Sequence, residues 1–296
     1  MTSSAPGKAG RVAVVTGASS GIGFVTARAL AGMGFRVIAH GRNPGRCESA
    51  LAEITAAAGG TQVNMLRADI SLLSEAKRLA EEIASLTDRI DVLVNNAGGV
   101  TDAKLMTAEG NEACFAANHL GPFLLTNILL PLLRKAASEG EPGSVRVITV
   151  ASSAHEYVSD LDWDDLQSIG NFIATPAYCK AKLANVLFAR ALADRLTDDG
   201  IVSHAMHPGA VDTNFFSYGD TDMQGFGKTQ PLISAEEGAD TVIWLATSET
   251  PGRSSGKYWH ERRVIPSSEA SRLPDAPDRL WKESEKIVES CFQDCN

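Results

Sequence analysis

The sequence predicts an α/β fold: a doubly wound, mostly parallel seven-stranded sheet with helices on both faces, folded as a single domain. Three observations predict it. Six runs, "RVAVVTG", "FRVIAHG", "VNMLRAD", "IDVLVNN", "VRVITVA" and "IVSHAMHPG", are apolar on both alternating faces, as strands covered from both sides must be. Helical patterns alternate with them. The 296 residues, 44% of them apolar, can bury one sizeable core, and no repeat or linker divides them.

Taken in order, the strand from Arg11 runs into a glycine-rich turn and an Ala-rich helix near 21–33. The second strand leads to a helix near 44–58, where Asn43-Pro44 reads as N-cap then first helical residue. Further helices are expected near 72–87, 111–138 and 175–198, between the remaining strands. Ser234 before "AEEGADTVIWLA" reads as a cap with acids in the first turn of a helix over 235–247. Two segments interrupt the alternation: the Gly- and aromatic-rich 214–233 and the Pro/Ser/Asp-rich 266–278, which precedes a last helix. The domain layout expected is a flexible segment 1–10, one main domain 11–265 and a C-terminal extension 266–296 with a helix.

A net charge of −9 and a pI near 5.2 give no basic face for nucleic acid or an anionic membrane. The polar start "MTSSAPGKAG" is read as neither secretory signal nor anchor, and "PFLLTNILLPLL" is too short to span a bilayer. Five scattered cysteines, Cys47, Cys114, Cys179, Cys291 and Cys295, show no paired spacing and argue for reduced thiols. The expectation is a soluble cytoplasmic protein with no metal site.

Gly17, Gly21 and Gly23 follow the first strand with the spacing G-x3-G-x-G, and Ser19, Ser20 and Ile22 are assigned to the same turn. Missing side chains there let the backbone turn sharply and approach a pyrophosphate at the positive end of the next helix. The second strand reports which dinucleotide. It ends "AHGR": Gly41 stands where an acid would bind a ribose 2′-hydroxyl, and Arg42 suits a 2′-phosphate. NADP(H) is therefore expected over NAD. His40 reads as a polar strand end rather than a ligand.

"YCKAK" places Tyr178 and Lys182 on one helix face, one turn apart. A phenol of pKa about 10 is a poor acid or base at neutral pH, and an ammonium beside it favours the phenolate. The pair therefore suggests proton transfer.

"TGASSGIG", "RADI", "NNAGG", "NHLGPF", "VASSAH", "YCKAK" and "HPGAVDT" together resemble the short-chain dehydrogenase/reductases over residues 11 to about 260. "NHLGPFLLT", "AYCKAKLANVLFARAL" and "SGKYW" are most similar to the retinol-dehydrogenase-like branch, which also holds protochlorophyllide reductases. The resemblance implies that Tyr178 transfers the proton, that Lys182 also holds the nicotinamide ribose, and that Asn118 holds a water in the proton relay. It places the carbonyl-binding serine at Ser152, with Ser153 the alternative. It further implies that Asp69 and Ile70 lie near the adenine and Asn95, Ala97 and Gly98 along the ribose. Pro208, Gly209, Val211 and Thr213 would surround the nicotinamide amide.

The expected activity is hydride transfer between NADP(H) and a carbonyl or alcohol carbon. Segments 156–176 and 214–231 should wall the substrate with Tyr157, Trp163, Phe172, Phe215, Phe216, Tyr218, Met223 and Phe226, which favours a bulky apolar or polycyclic small molecule. A catalytically silent NADP sensor or scaffold and a C=C reductase remain alternatives. A homo-oligomer is left open.

Overall fold

The computed structural model describes residues 10–212 and 218–293. Strands β1 (Val12–Val15), β2 (Arg36–Gly41), β3 (Val63–Arg67), β4 (Val92–Asn95), β5 (Arg146–Val150), β6 (Val202–Met206), β7 (Tyr258–His260) and β8 (Arg263–Val264) form one sheet ordered β3-β2-β1-β4-β5-β6-β7-β8. Its first seven strands are parallel. The sheet has one strand more than expected: β8 turns back antiparallel on β7 through Glu261 and Arg262, both at positive φ. A two-residue edge strand carries no apolar run by which the sequence could announce it.

Alternation along β1 sets the two layers. Val12 and Val14 face one core with α3 (Leu73–Leu86), α5 (Gly121–Ser138) and α6 (Ala174–Arg195). Ala13 and Val15 face the other with α1 (Gly21–Gly32), α2 (Pro44–Ala57) and α8 (Ala235–Thr247). Both expected caps form: Asn43 accepts from Arg46 N, and Ser234 makes a reciprocal capping box with Glu237.

The helix expected over 111–138 begins later and is interrupted. Buried Glu112 caps the single turn α4 (Ala113–Phe115), a π-turn follows over Ala116–Leu120, and α5 continues. The stretch Ala113–Ser138 is long and apolar enough to cross a membrane, contrary to the reading of its inner run alone, but 72% of its most apolar window is buried inside the fold. A short helix, α7 (Thr221–Thr229), lies where only a loop was expected; Asp220 caps it and ties it to α6 by accepting from the N–H and hydroxyl of Thr175.

The chain then runs through α9 (Glu269–Arg272) into α10 (Ala276–Gln293), which packs on α5 and α6. Trp281 meets Phe123 edge-on at 4.9 Å and stacks with Phe188 at 5.9 Å, beneath the Arg195 guanidinium. His119 from the π-turn bonds Ser284 across the same seam at 2.7 Å.

Candidate active site

The sheet order reverses between β1 and β4, and a cavity of about 1560 Å³ opens beyond the carboxyl ends of these strands. Its first wall is the glycine-rich turn. Gly17 and Gly21 have φ of +67° and +56°, and Gly23 packs so close that a Cβ there would run into Gly17 O and the Asn96 amide. Ser20, the N-cap of α1, makes no side-chain capping bond, and the first turn carries no acid. Its N–H groups are thus placed for an anion. Gly17, Ser19, Ser20, Gly21 and Ile22 line the cavity; Gly23 supports the turn from behind.

Thr16 and Asn96, which motif reading did not single out, fasten this turn to β4. The buried Thr16 hydroxyl accepts from the N–H of Asn96 at 2.9 Å and of Ala97 at 3.0 Å. Asn96 Nδ2 returns a bond to Thr16 O. Asn95, by contrast, does not reach the cavity with its side chain: Nδ2 donates to Thr126 Oγ1 on α5, at 3% exposure. The strand's period of two sends Asn95 into the core and its successor toward the turn. Ala97 and Gly98 do line the cavity.

At the end of β2, His40 braces the turn rather than presenting a ligand. Gly17 N–H donates to Nδ1, at the long distance of 3.4 Å, so Nε2 carries the proton and gives it to Ala68 O at 3.0 Å. Burial lowers its pKa, in keeping with the neutral ring. Arg42 extends from the rim, its side chain 71% exposed, and pairs with Asp69 at 3.1 Å. An exposed pair of this kind contributes only about 0–1 kcal/mol and leaves the guanidinium able to exchange partners. Burial pushes the Asp69 carboxyl up, but bonds from the Ser71 hydroxyl and N–H, with Arg42 beside them, bring it below its usual range. Ile70 lines the same end. Gly41 has a packing reason to be glycine: a Cβ would lie 2.7 Å from Cys47 Sγ and 2.8 Å from Ser19 Cβ.

The floor is built by β5 and α6. Ser152 follows β5 in extended backbone and caps a 3-10 turn over Ser153–Tyr157, its Oγ accepting from Ala154 N at 3.1 Å. The Ser152 hydroxyl is hydrogen-bonded to the Tyr178 phenol. Burial holds that phenol well above its ordinary pKa, and the Ser152 bond pulls against it. Lys182 Nζ lies 5.5 Å from the Tyr178 ring centre and donates to Val150 O at 3.2 Å; burial brings its ammonium down to about 8. In the protein without cofactor, desolvation dominates both groups.

Asn118 sits in the π-turn, a helix irregularity frequent at functional sites. Its Nδ2 is fixed by Gly99 O at 2.7 Å and Cys114 O at 2.8 Å. Its Oδ1 is buried with no partner among the described residues. Asn118 and Lys182 meet across Gly98: a Cβ there would press on Asn118 Oδ1 and lie 3.6 Å from Lys182 Nζ.

Pro208, Gly209 and Val211 line the far wall, with Gly209 at φ +91°. Tyr157, Tyr218 and Met223 border the opening, joined by Val100 and Leu105 from a loop that sequence reading left out. Trp163 is not among them; its ring packs under Arg279, and Phe172 stands clear of the cavity as well. Thr213, Phe215 and Phe216 lie outside the described residues, as does the side chain of Phe226. Among the described residues no cluster of His, Cys, Asp or Glu is placed to hold a metal ion.

The arrangement thus combines an anion-cradling turn, a deep cavity and a serine–phenol–ammonium group at its floor. Comparison with known proteins agrees in kind. The short chain dehydrogenase family pattern matches residues 11–224. Human retinol dehydrogenase 12 is 36% identical over 280 residues, covering 94% of this chain and 86% of that protein. Among solved structures, an uncharacterized protein from Mycobacterium paratuberculosis superposes with a TM-score of 0.75 at 30% identity, over 96% of this chain and 95% of that one. The RhlG/NADP active-site complex of Pseudomonas aeruginosa gives 0.67 at 28%, over 91% and 100%.

Proposed function

The chain belongs to the short-chain dehydrogenase family, in its retinol-dehydrogenase-like branch, and on that premise we propose that this hydride-transfer oxidoreductase uses NADP(H) to interconvert a bulky apolar carbonyl compound and its alcohol. The observation that carries this reading is the Ser152–Tyr178 hydrogen bond on the cavity floor, one helical turn from Lys182.

A dinucleotide whose pyrophosphate lay on the glycine-rich turn would supply the hydride from its nicotinamide. Ser152 holds the substrate oxygen beside Tyr178. As the carbonyl carbon gains two electrons and a hydrogen, its oxygen develops negative charge and takes the phenolic proton, which completes the alcohol; oxidation of an alcohol runs the same transfers backwards. A phenol kept protonated by burial is suited to the reductive direction. Lys182 binds the cofactor ribose and stabilises the phenolate left behind. Asn118, with its unmet buried acceptor, holds the water through which Lys182 passes a proton back to Tyr178.

Arg42 supports NADP(H), with a guanidinium at the end of β2 and no acid at position 41 to repel a phosphate. The RhlG structure was solved with NADP. The apolar border formed by Val100, Leu105, Tyr157, Tyr218 and Met223 supports a large apolar substrate, and human retinol dehydrogenase 12 takes its name from one. Residues 11–265 form the catalytic domain, to which 266–296 is an extension, and the buried thiols of Cys47, Cys114 and Cys179 suit a reducing cytoplasm. The complete catalytic group argues against a silent scaffold. The test is NADPH oxidation against a panel of apolar aldehydes and ketones, with a conjugated enone to report C=C reduction. Carbonyl turnover supports the reading; NADPH binding without turnover of any member, or reduction of the enone's C=C bond alone, contradicts it.

A further inference from the structure

His155 is wholly buried at 0% exposure, three residues past Ser152, yet nothing in the reaction above uses it. Both ring nitrogens are engaged. Nδ1 lies 2.7 Å from Ser152 O, and Nε2 lies 3.0 Å from the backbone nitrogen of Ser268. A backbone N–H can only donate, so Nε2 presents its lone pair and Nδ1 carries the proton, which goes to the Ser152 carbonyl. One neutral tautomer satisfies both bonds. Burial, which lowers the His155 pKa, favours that neutral ring. The ring is also wedged edge-on against Tyr258 at 4.7 Å.

The far end of this bridge is itself fixed. Ser268 caps α9, accepting from Ser271 N, and the buried Ser271 hydroxyl donates to Ser268 O at 2.7 Å. The extension beyond 265 is thus linked, through the His155 ring, to the backbone carbonyl of the residue that bonds Tyr178. Hydrogen bonds that orient a reacting group from behind are worth rate because sub-ångström placement of that group sets its reactivity.

We propose that His155 is a positioning residue: it carries a hydrogen-bond bridge from Ser268 in the C-terminal extension to the Ser152 carbonyl and so holds the Ser152 hydroxyl against Tyr178. This rests on the role given to Ser152 above. The extension thereby becomes part of the catalytic apparatus without touching substrate.

The two nitrogens can be mimicked separately. His155→Asn keeps a donor near the Nδ1 position, whereas His155→Gln reaches toward Ser268 and loses the donor to Ser152. NADPH oxidation with naphthaldehyde, NADPH affinity by fluorescence and melting temperature are measured on each full-length variant. His155→Gln should lose on the order of tenfold or more in kcat with NADPH affinity within about twofold, and His155→Asn should recover most of that rate. A second pair avoids the buried site. Ser268 has φ −55°, which proline can adopt. Ser268→Pro removes the N–H and should lower kcat, whereas Ser268→Ala keeps the N–H and should not. Equal kcat in the two His155 variants, together with equal kcat in the two Ser268 variants, overturns the bridge, as does a loss confined to melting temperature or NADPH affinity. Tyr178→Phe, run alongside, separates the two ideas: if it stays active the site reading itself fails, and if it is inactive while His155→Gln is fully active only the bridge fails.

Discussion

The Tyr178 phenol, only 5% exposed, is hydrogen-bonded to the hydroxyl of Ser152, a residue delivered by a different element, the end of β5. Ser153, next in the chain, opens the 3-10 turn. Ser152→Ala should therefore lower kcat by about two orders of magnitude, the scale of a lost oxyanion donor, while Ser153→Ala should change it by less than about tenfold. Steady-state rates for the two variants check this. The reverse ranking would move the substrate oxygen by one residue.

Cofactor preference should reside in Arg42. Charged hydrogen bonds contribute about 1.5–3 kcal/mol each, so the unmodified protein should favour NADPH over NADH by roughly ten- to a hundredfold in kcat/KM. Arg42→Leu should erase most of that preference. The informative change is this single one. Placing an acid at position 41 to recruit NADH would force Cys47 and Ser19 apart and confound stability with specificity.

NADPH affinity should fall as pH rises through about 8. The buried Lys182 ammonium is already brought down to about that value, so its charge is lost from the free protein there. A cofactor that binds the ammonium form raises the pKa of that group in the complex. Affinity is then full below about 8 and declines above it. Fluorescence titration across this range measures it; a flat profile would show that Lys182 does not hold the ribose through its charge.

Thr16→Val should lower stability by about 1–3 kcal/mol, because two part-buried N–H groups, those of Asn96 and Ala97, lose their acceptor while the shape is conserved. Thermal or urea unfolding measures the loss. An unchanged midpoint would mean that the turn relaxes to bond elsewhere.

Much of this architecture is local in origin and so could be read from the chain. Asn43-Pro44 and Ser234 with Glu237 start their helices by bonds within four residues, and six of the eight strands announce themselves by largely apolar runs. What escaped depends on partners distant in sequence. The π-turn that carries Asn118 follows from Glu112 capping a helix that begins late, and from His119 reaching Ser284. His155 acquires a role only through Ser268, more than a hundred residues on. The motif names two adjacent asparagines, and only the pleat of β4 says that the Asn95 side chain enters the core and that of Asn96 braces the turn. Helix α7 was missed because "TDMQGFGKT" holds two glycines and few apolar residues; its start is secured by Asp220 and Thr175, side chains that meet only in the folded protein.

The central claim is that Tyr178 gives and takes the substrate proton, and Tyr178→Phe tests it most directly, since the ring, its packing and its neighbours remain. NADPH oxidation with naphthaldehyde is followed for both proteins, with NADPH affinity measured in parallel. The account predicts that kcat falls by at least about two orders of magnitude while NADPH binds within about twofold of the unmodified protein. Turnover by Tyr178→Phe within tenfold of the unmodified protein would contradict it and remove the phenol from the reaction.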